Sequence, residues 1–274
     1  MLGAIGVLLV ATAALLGPIE RRDWTWPSGD RYIAGAGRTG VLQWTNGTRY
    51  EGTFLAGVPA GTGTLTWPDG TRYQGDFARG EPHGQGLLTG ADGLTYQGRF
   101  VDGRIFGNGQ IQGAFGRYRG ALVDGIAEGR GDLTTAQGDR FVGEFARGVP
   151  HGRGRLDHAD GPTLRGRFSV GRPRGDIEVL FTDGGRYTGQ WQNGARAGRG
   201  AMRWPDGRRY IGTWAADLPA GPGTFTWPDG RRYIGTASDG LANGGGWCVD
   251  LIHTERCRFS SGVRQPPPST VKVP

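Results

Sequence analysis

The chain has 274 residues, and 55 of them are glycine. Hydrophobic residues make up 36% of the chain, and its formal net charge is +7 at pH 7. Glycine is about three times as frequent as in average proteins, while proline is ordinary and aromatic residues are well represented, which excludes a collagen-like chain and a simple disordered tract. The basic excess is carried almost entirely by arginine, and it favours anionic partners without choosing between lipid, nucleic acid and acidic protein.

An apolar run from Leu2 to Leu16 opens the chain. It is shorter than the roughly 20 residues that span a bilayer, and no basic residue precedes it as in a secretory signal. Arg21 and Arg22 follow the run, so the positive-inside rule places the rest of the chain on the cytoplasmic side. We predict a short apolar helix at 1–19 that anchors the protein in a membrane. The alternatives are a cleaved signal with small residues at 11–13, which would export a periplasmic or secreted protein, and a buried helix.

The remainder is dominated by a repeat with a period of 23 residues, shortened once to 22. A fixed period in this range is typical of repeat arrays. Each copy begins with an aromatic or apolar residue, here called the anchor: Tyr50, Tyr73, Tyr96, Tyr118, Phe141, Leu164, Tyr187, Tyr210 and Tyr233. Glycine follows two and eleven residues after every anchor, and thirteen residues after every anchor except one, where Ile177 stands.

The spacing within a copy predicts two short strands. Anchor, glycine and aromatic residues alternate with polar ones, and period-two alternation places the two sets on opposite faces of a strand. In the copy that starts at Tyr50 we predict a loop at 57–60 between the strands and a turn at 67–70 after them. The glycines eleven and thirteen residues on, Gly61 and Gly63, would share the face of the rings, which would lie across the bare glycine backbone.

These residues resemble the MORN repeat (membrane occupation and recognition nexus). Its pattern is matched almost without exception by Tyr-Gln-Gly-Asp-Phe at 73–77 and His-Gly-Gln-Gly-Leu at 83–87. The resemblance implies an all-β fold, an elongated single-layer antiparallel sheet of about nine hairpins, used for scaffolding and for contacts with proteins or membranes. Leu164, Ile177 and Asp217, which stands for a loop glycine, depart from the pattern and put the packing there in question.

The array of repeats is predicted to cover 24–252, between the anchor segment at 1–19 and a C-terminal part at 253–274. A further copy, which starts at Tyr32 only 18 residues before Tyr50, precedes the nine anchors and is shortened, as expected for a terminal cap. At the other end, a return strand around 256–259 would pair with 247–252 and protect the open edge of the sheet. The proline-rich residues after it are expected to form an extended, disordered tail.

The two cysteines, Cys248 and Cys257, would lie opposite each other on these last strands, within reach of a disulfide. A bond would form on an oxidising side of a membrane. The alternatives are free thiols and a metal site, for which His253 adds only a third ligand where zinc needs four. We expect no metal and no cofactor.

Arginine precedes the anchor in seven copies, on the face opposite the rings. We interpret these residues as a candidate basic ladder that could pair with carboxylates or phosphates. The alternative is a solvated face whose arginines pair with acidic neighbours such as Glu51, Asp76 and Glu144. The arginine ladder consists of Arg49, Arg72, Arg117, Arg140, Arg186, Arg209 and Arg232.

No catalytic residue is predicted. His83 and His151 occupy a position that also holds alanine, phenylalanine, glutamate or arginine in other copies, which we interpret as a loop position. The glycine-rich segments lack the Lys-Ser or Lys-Thr ending of a phosphate-binding loop. The sequence therefore predicts a non-enzymatic, membrane-tethered scaffold that contacts proteins and anionic lipid headgroups, with no nucleic-acid partner. The alternatives are a regulatory or accessory subunit of an enzyme, such as a phosphoinositide kinase-like system, and an exported binding protein.

Overall fold

The computed structural model describes residues 23–266, and these residues form β-strands and turns. The all-β, antiparallel fold that the sequence predicts is confirmed, with 23 strands in one sheet of the described part. The expected apolar helix at 1–19 and most of the expected tail lie outside the described residues. Between residues 23 and 266 no helix is long and apolar enough to cross a membrane.

The strands follow one another along the chain as antiparallel neighbours. The first eleven are β1 (Trp24–Thr25), β2 (Arg31–Ala34), β3 (Thr39–Gln43), β4 (Arg49–Leu55), β5 (Val58–Thr66), β6 (Arg72–Ala78), β7 (Glu81–Thr89), β8 (Thr95–Val101), β9 (Arg104–Gly113), β10 (Gly116–Val123) and β11 (Ile126–Thr135). The remaining twelve are β12 (Arg140–Ala146), β13 (Val149–Asp157), β14 (Thr163–Ser169), β15 (Arg172–Leu180), β16 (Arg186–Gln192), β17 (Ala195–Arg203), β18 (Arg209–Ala215), β19 (Leu218–Thr226), β20 (Arg232–Ser238), β21 (Leu241–Val249), β22 (Thr254–Ser260) and β23 (Val263–Arg264).

The chain divides into two compact units, which are described separately below. Among the described residues, the first unit comprises 23–138 together with 144–149, and the second comprises 139–143 together with 150–266. Both are built from the same hairpin.

The two strands of a copy are joined by a turn that is tighter than predicted. Ala56 and Gly57 both have positive φ, 49° and 81°, and β5 begins at the next residue, Val58. Two consecutive residues with positive φ suit a two-residue hairpin turn, because its twist matches that of the flanking strands. The predicted loop at 57–60 is therefore wrong in extent, since all but its first residue belong to the strand.

The turn between copies is confirmed where the sequence placed it. The Gly70 N–H donates to the carbonyl oxygen of Trp67 at 3.0 Å, and the Trp67 N–H donates to that of Thr71 at 2.9 Å. Gly70 has a φ of 89°, which favours glycine. Asp69 accepts a hydrogen bond from the Thr71 N–H at 2.8 Å, the local contact that makes aspartate frequent in turns.

The anchors form the core of each unit, and the face that they line is called the ring face. Tyr50 is fully buried, and its ring covers Gly52 and Gly63, which are cross-strand partners in β4 and β5. The Tyr50 hydroxyl donates to the carbonyl oxygen of Thr53 at 2.8 Å. Its ring meets that of Phe77, in the following copy, edge-on at 4.8 Å between centroids. The prediction that rings cover bare glycine backbone is confirmed.

The glycine eleven residues after the anchor is the cross-strand partner of a ring-face residue, Phe77, but no ring lies where its side chain would be, so the prediction holds only in part. Gly61 has a φ of 73°, and the register between β4 and β5 shifts opposite it, between Gly52 and Phe54. A β-bulge adds one residue to a strand and turns the next side chain. A Cβ on Gly61 would meet the hydroxyl of Thr53, on the opposite face from the rings.

The departures around Leu164 and Ile177 are accommodated in the second unit. Leu164 is too short to cover a pair of glycines on the ring face. This copy has only one glycine of that pair, because Ile177 stands opposite Gly166 where other copies have the second. The Cδ1 methyl of Ile177 fills the space above Gly166, and Ile177 and Val179 are both buried. An aliphatic pair thus replaces the ring.

Asp217 adopts the left-handed conformation, with a φ of 69°, that glycine adopts in the hairpin turn of other copies, such as Gly57. Its carboxylate accepts hydrogen bonds from the Arg196 backbone N–H at 2.9 Å and from the Arg196 guanidinium at 3.1 Å. These contacts offset the cost of the left-handed conformation, to which aspartate is better suited than most residues.

At the end of the second unit, the predicted return strand is β22, which pairs with β21. A short strand, β23, pairs with the other side of β22. Cys248 and Cys257 are joined by a disulfide with Cα atoms 5.8 Å apart. The expectation that the two cysteines lie directly opposite each other is wrong, although the bond itself is present. Cys248 is the partner of Glu255 and Cys257 that of Gly246, so the bond runs diagonally between β21 and β22.

Candidate binding surface

The sheet face opposite the rings is called the outer face. Alternation along each strand sends every residue of the arginine ladder to this face, and all seven are exposed. Two have acidic partners: Arg49 pairs with Glu51 at 2.7 Å and Arg186 with Glu178 at 2.5 Å. Within residues 23–266, four others make no ion pair, namely Arg72, Arg117, Arg209 and Arg232. The ladder is thus partly a paired, solvated face and partly free cationic groups.

A denser group of arginines lies on the outer face of the second unit. Arg153 in β13 is the direct cross-strand partner of Arg167 in β14, and Arg155 is the partner of Arg165. We call these four residues the arginine square. Like charges directly opposite each other destabilise a sheet. The square is therefore an electrostatically costly arrangement that an anionic partner would relieve.

The two halves of the arginine square differ in their neighbours. Arg155 pairs with Asp157 at 2.7 Å. Partial burial raises the pKa of Asp157, but hydrogen bonds from Thr163 and Arg155 outweigh it, so this pKa lies below its usual value. In the part of the chain that the structure describes, Arg153 and Arg167 make no ion pair. Their charges remain available.

Shallow cavities lie at both halves of the square. One of about 600 Å³ is lined by Arg153, Arg167, Asp176 and three glycines. The other, of about 300 Å³, is lined by Arg155, Arg165, Glu178 and Arg186, with Thr163 and Leu180. Gly175 also lines the first cavity, and a Cβ added to it would have nothing within 4 Å, so the space beside Arg153 and Arg167 is open to a partner group.

Three further arginines are aligned across neighbouring strands of the second unit. Arg186 is the partner of Arg203, and Arg203 is in turn the partner of Arg209. The sequence search considered only the residue before each anchor, and so it missed Arg203 and the whole arginine square. Arginine at alternate positions in 153–155 and 165–167 was the available signal, because period-two alternation places both members on one face.

Two histidines lie in strands, and a third contacts a carboxylate. His83 lies in β7 and His151 in β13, so the interpretation of this position as a loop is wrong. His158 contacts Asp139 at 3.2 Å. The N–H of Ala159 and this histidine lower the pKa of Asp139. Between residues 23 and 266 no group of three or more His, Cys, Asp or Glu side chains is placed to hold a metal ion.

The disulfide borders a smaller cavity of about 210 Å³ at the end of the second unit. Trp227 and Phe259, which stack with centroids 5.9 Å apart, contribute to its wall. Arg231, Arg232, Asp250 and Glu255 supply charges of both signs.

Comparison with solved structures finds domains that match this chain at low similarity. The TCP10 domain of Danio rerio CPAP, in complex with a peptide of Danio rerio STIL, is 16% identical with a TM-score of 0.35, covering 78% of this chain and 92% of that chain. The SAS-4 TCP domain of Drosophila melanogaster, in complex with a proline-rich motif of Ana2, is 11% identical with a TM-score of 0.23, covering 81% and 99%. Scores this low support no inference about function. No curated protein matches the chain.

The family model of the MORN repeat matches seven segments, which together make up more than half of the chain. They are residues 50–72, 73–95, 96–114, 118–140, 141–163, 187–208 and 210–231. The copy that begins at Leu164 is not among them, in keeping with its aliphatic replacement of the ring. The chain therefore belongs to the MORN repeat family.

Proposed function

We propose that this protein is a non-enzymatic scaffold whose outer face binds acidic segments of partner proteins. The observation that carries the proposal is the direct opposition of Arg153 and Arg167, neither of which has an acidic partner in the described residues. Guanidinium groups bind carboxylates through two parallel hydrogen bonds, which makes arginine the preferred cation for such contacts. A partner carboxylate between the two would remove the repulsion that the sheet now carries.

Binding through many exposed arginines is expected to be weak at each site and strong in sum. Exposed charge pairs contribute between about 0 and 1 kcal/mol each. They are also screened beyond about 8 Å at physiological ionic strength. A partner would therefore need several carboxylates in one segment, and its affinity would fall steeply with salt.

The test uses the full chain in neutral lipid nanodiscs, with fluorescent poly-glutamate as the probe and poly-glutamine as its uncharged counterpart. The variant Arg153→Gln/Arg167→Gln should lower poly-glutamate affinity several-fold. The control Arg79→Gln/Arg104→Gln removes the same charge from exposed arginines that already pair with Asp102 and Asp124. Equal losses in the two variants would contradict a specific role for the arginine square.

Anionic membranes are a second candidate partner, favoured by the apolar run at Leu2–Leu16 and by the exposure of the arginine ladder. In this proposal the run anchors the protein and the array lies on the cytoplasmic side. Each basic side chain near an anionic surface contributes about 1 kcal/mol. Replacing Arg117, Arg140, Arg186 and Arg209 by glutamine should then reduce flotation with anionic but not with neutral liposomes. Equal flotation of variant and parent would contradict a role for these arginines, and membrane association would then depend on the apolar run alone.

A further inference from the structure

The outer face of the second unit carries a row of exposed apolar side chains, Ile211, Ile234 and Trp247, here called the apolar row. Their exposed fractions are 63%, 42% and 42%. Cross-strand pairing aligns them, because Ile211 is the partner of Thr224, Thr224 of Ile234, and Ile234 of Trp247. The apolar row therefore runs straight across β18, β19, β20 and β21.

The repeats themselves show that the hairpin does not require apolar residues here. The position after the anchor, which Ile211 and Ile234 occupy, is Glu51, Gln74 and Gln97 in the copies that begin at Tyr50, Tyr73 and Tyr96. Folding buries the ring face, not this one. A contiguous exposed apolar patch rimmed by polar residues is typical of a protein interaction site.

Cationic groups flank the apolar row. Arg209 and Arg232 lie two residues before Ile211 and Ile234 on the same strands, and so they share the outer face. Within residues 23–266 neither arginine makes an ion pair. At the far end, the guanidinium of Arg256 lies over the Trp247 ring at 4.3 Å. A partner must therefore offer apolar groups along one line and carboxylates beside it.

The spacing of the sites selects the conformation of that partner. Ile211 and Ile234 are two strands apart, which is about 9.6 Å, and Arg209 and Arg232 have the same separation. Equivalent positions of an α-helix recur after seven residues, or about 10.5 Å. Side chains on one face of an extended strand recur about every 6.8 Å. The seven-residue helical spacing matches the Ile211–Ile234 and Arg209–Arg232 separations, and one helical turn of about 5.4 Å matches the single-strand step from Ile234 to Trp247. The extended period matches none of these separations.

The geometry points to an amphipathic, acidic helix of a partner protein as the ligand of this surface. Its apolar stripe would lie on the apolar row, and carboxylates on one flank, one heptad apart, would pair with Arg209 and Arg232. This inference rests on the proposed scaffold function and assigns it a second surface, apart from the arginine square. The chain's own residues 267–274 are a poor candidate, because their one charged side chain is the cation Lys272.

The test uses the full chain in neutral lipid nanodiscs and a synthetic helical peptide of three heptads, with leucine at a and d and glutamate at e and g. Fluorescence anisotropy measures binding, with empty nanodiscs as the reference. Three comparison peptides are a scrambled sequence, a version with glutamine for glutamate, and an extended peptide of alternating leucine and glutamate. We expect the amphipathic helix to bind best, and equal binding by the scrambled or extended peptide overturns the inference, as does no binding at all.

Two variants locate the binding site. Ile211→Thr/Ile234→Thr/Trp247→Thr should weaken the helix about tenfold or more, in the range of interface anchors. Arg209→Gln/Arg232→Gln should weaken helix binding about fivefold and reduce its salt dependence.

The control Leu87→Thr/Val142→Thr removes exposed apolar side chains elsewhere on the outer face and should leave the affinity unchanged. Parental affinity in both test variants overturns the inference. Circular dichroism checks folding, and the arginine variant changes only exposed charges.

The remaining outcomes identify other occupants. If deletion of residues 267–274 strengthens peptide binding, the tail covers the surface. If the protein dimerises and the triple threonine variant is monomeric, a second copy covers it. Either result overturns a partner helix as the ligand. Failure of the whole scaffold function is distinguishable, because poly-glutamate binding through Arg153 and Arg167 would then be absent as well.

Discussion

The Tyr50 ring in β4 lies diagonally across Gly63 in β5, so closely that a Cβ on Gly63 would lie 2.5 Å from Cε2 of the ring. No real Cβ tolerates this distance, and the glycine is therefore required by the ring. The same relationship recurs between Tyr210 and Gly223 in the second unit. In the copies with an aromatic anchor the ring packs on the glycine backbone, so that a side chain on one strand is buried by its own sheet.

We predict that Gly143→Val destabilises the second unit. A Cβ at Gly143 would lie 2.6 Å from the Gly154 Cα and 2.8 Å from the Phe141 ring. Overpacking of this kind costs about 1–3 kcal/mol, and urea unfolding should show it as a lower midpoint. Gly245→Val is the matched control, because its Cβ would have nothing within 4 Å. Equal midpoints in the two variants would contradict the role of the ring.

The buried tyrosines predict alkaline destabilisation. Burial raises the pKa of Tyr50 and of Tyr118 to about 12, whereas unfolded tyrosine ionises near pH 10. Because the folded state disfavours tyrosinate, this stability is fully present below about pH 10 and is lost as the pH rises toward 12. The loss is about 1.4 kcal/mol per pH unit for each tyrosine. Urea unfolding between these pH values measures it.

Tyr118→Phe provides the control for this pH dependence. The variant loses the hydrogen bond from the Tyr118 hydroxyl to the Ala121 carbonyl, at 2.9 Å, and should be about 1 kcal/mol less stable at neutral pH. Above pH 10 its stability should fall less steeply than that of the parent, because one ionising group is gone. An unchanged slope would contradict the assignment. Phe141 shows that the repeat folds without this hydroxyl.

Arg196→Gln should be among the more damaging arginine substitutions in the second unit. The Arg196 guanidinium lies 4.6 Å from the centre of the Trp214 ring, and its side chain is only 18% exposed. The change removes the ion pair to Asp217 and the contact with the ring, and we expect a loss of about 2–3 kcal/mol. Arg208→Gln is the control, since Arg208 pairs with Asp206 and lies over Trp204 at the surface. Its loss should stay below about 1 kcal/mol.

Removal of the disulfide should loosen the end of the second unit selectively. The bond closes a short loop with a sequence separation of 9, and a constraint of this size contributes about 2–3 kcal/mol. In Cys248→Ser/Cys257→Ser, amide hydrogen exchange should become faster in β21 and β22. Exchange in β4 and β5, which belong to the first unit, serves as the internal control. Acceleration in both regions would indicate a general loss of folding.

The sequence predicts the hairpin well because its main determinants are local. Tyr50, Gly52 and Gly63 meet within one copy, so spacing alone identifies the ring face. Gly61 was misplaced because alternation within one strand cannot reveal a β-bulge. A bulge depends on how many residues of one strand lie opposite each residue of its partner strand. The arginine square was missed for a related reason. That Arg153 opposes Arg167 follows from the register, which is fixed by the bulges and the two-residue turns.

The apolar row could have been found only by comparing copies at one position. Ile211 and Ile234 are unremarkable strand residues in isolation, and β-branched residues are common in strands. They become informative once Glu51 and Gln74 are recognised as their equivalents and the outer face is known to be exposed. Pairing across β19 then adds Trp247 to the same line.

The turn at Trp67–Gly70 and the cover of Gly52 and Gly63 by the Tyr50 ring are contacts within one copy, and most other copies repeat them. A copy can therefore be duplicated or lost in frame while its neighbours meet the same surfaces as before. Array length in such a protein is free to drift by unequal recombination, and individual copies can diverge on the outer face while the ring face stays under constraint. Glu51 and Gln74 in two earlier copies, against Ile211 and Ile234 in two later ones, are an example of such divergence on the outer face.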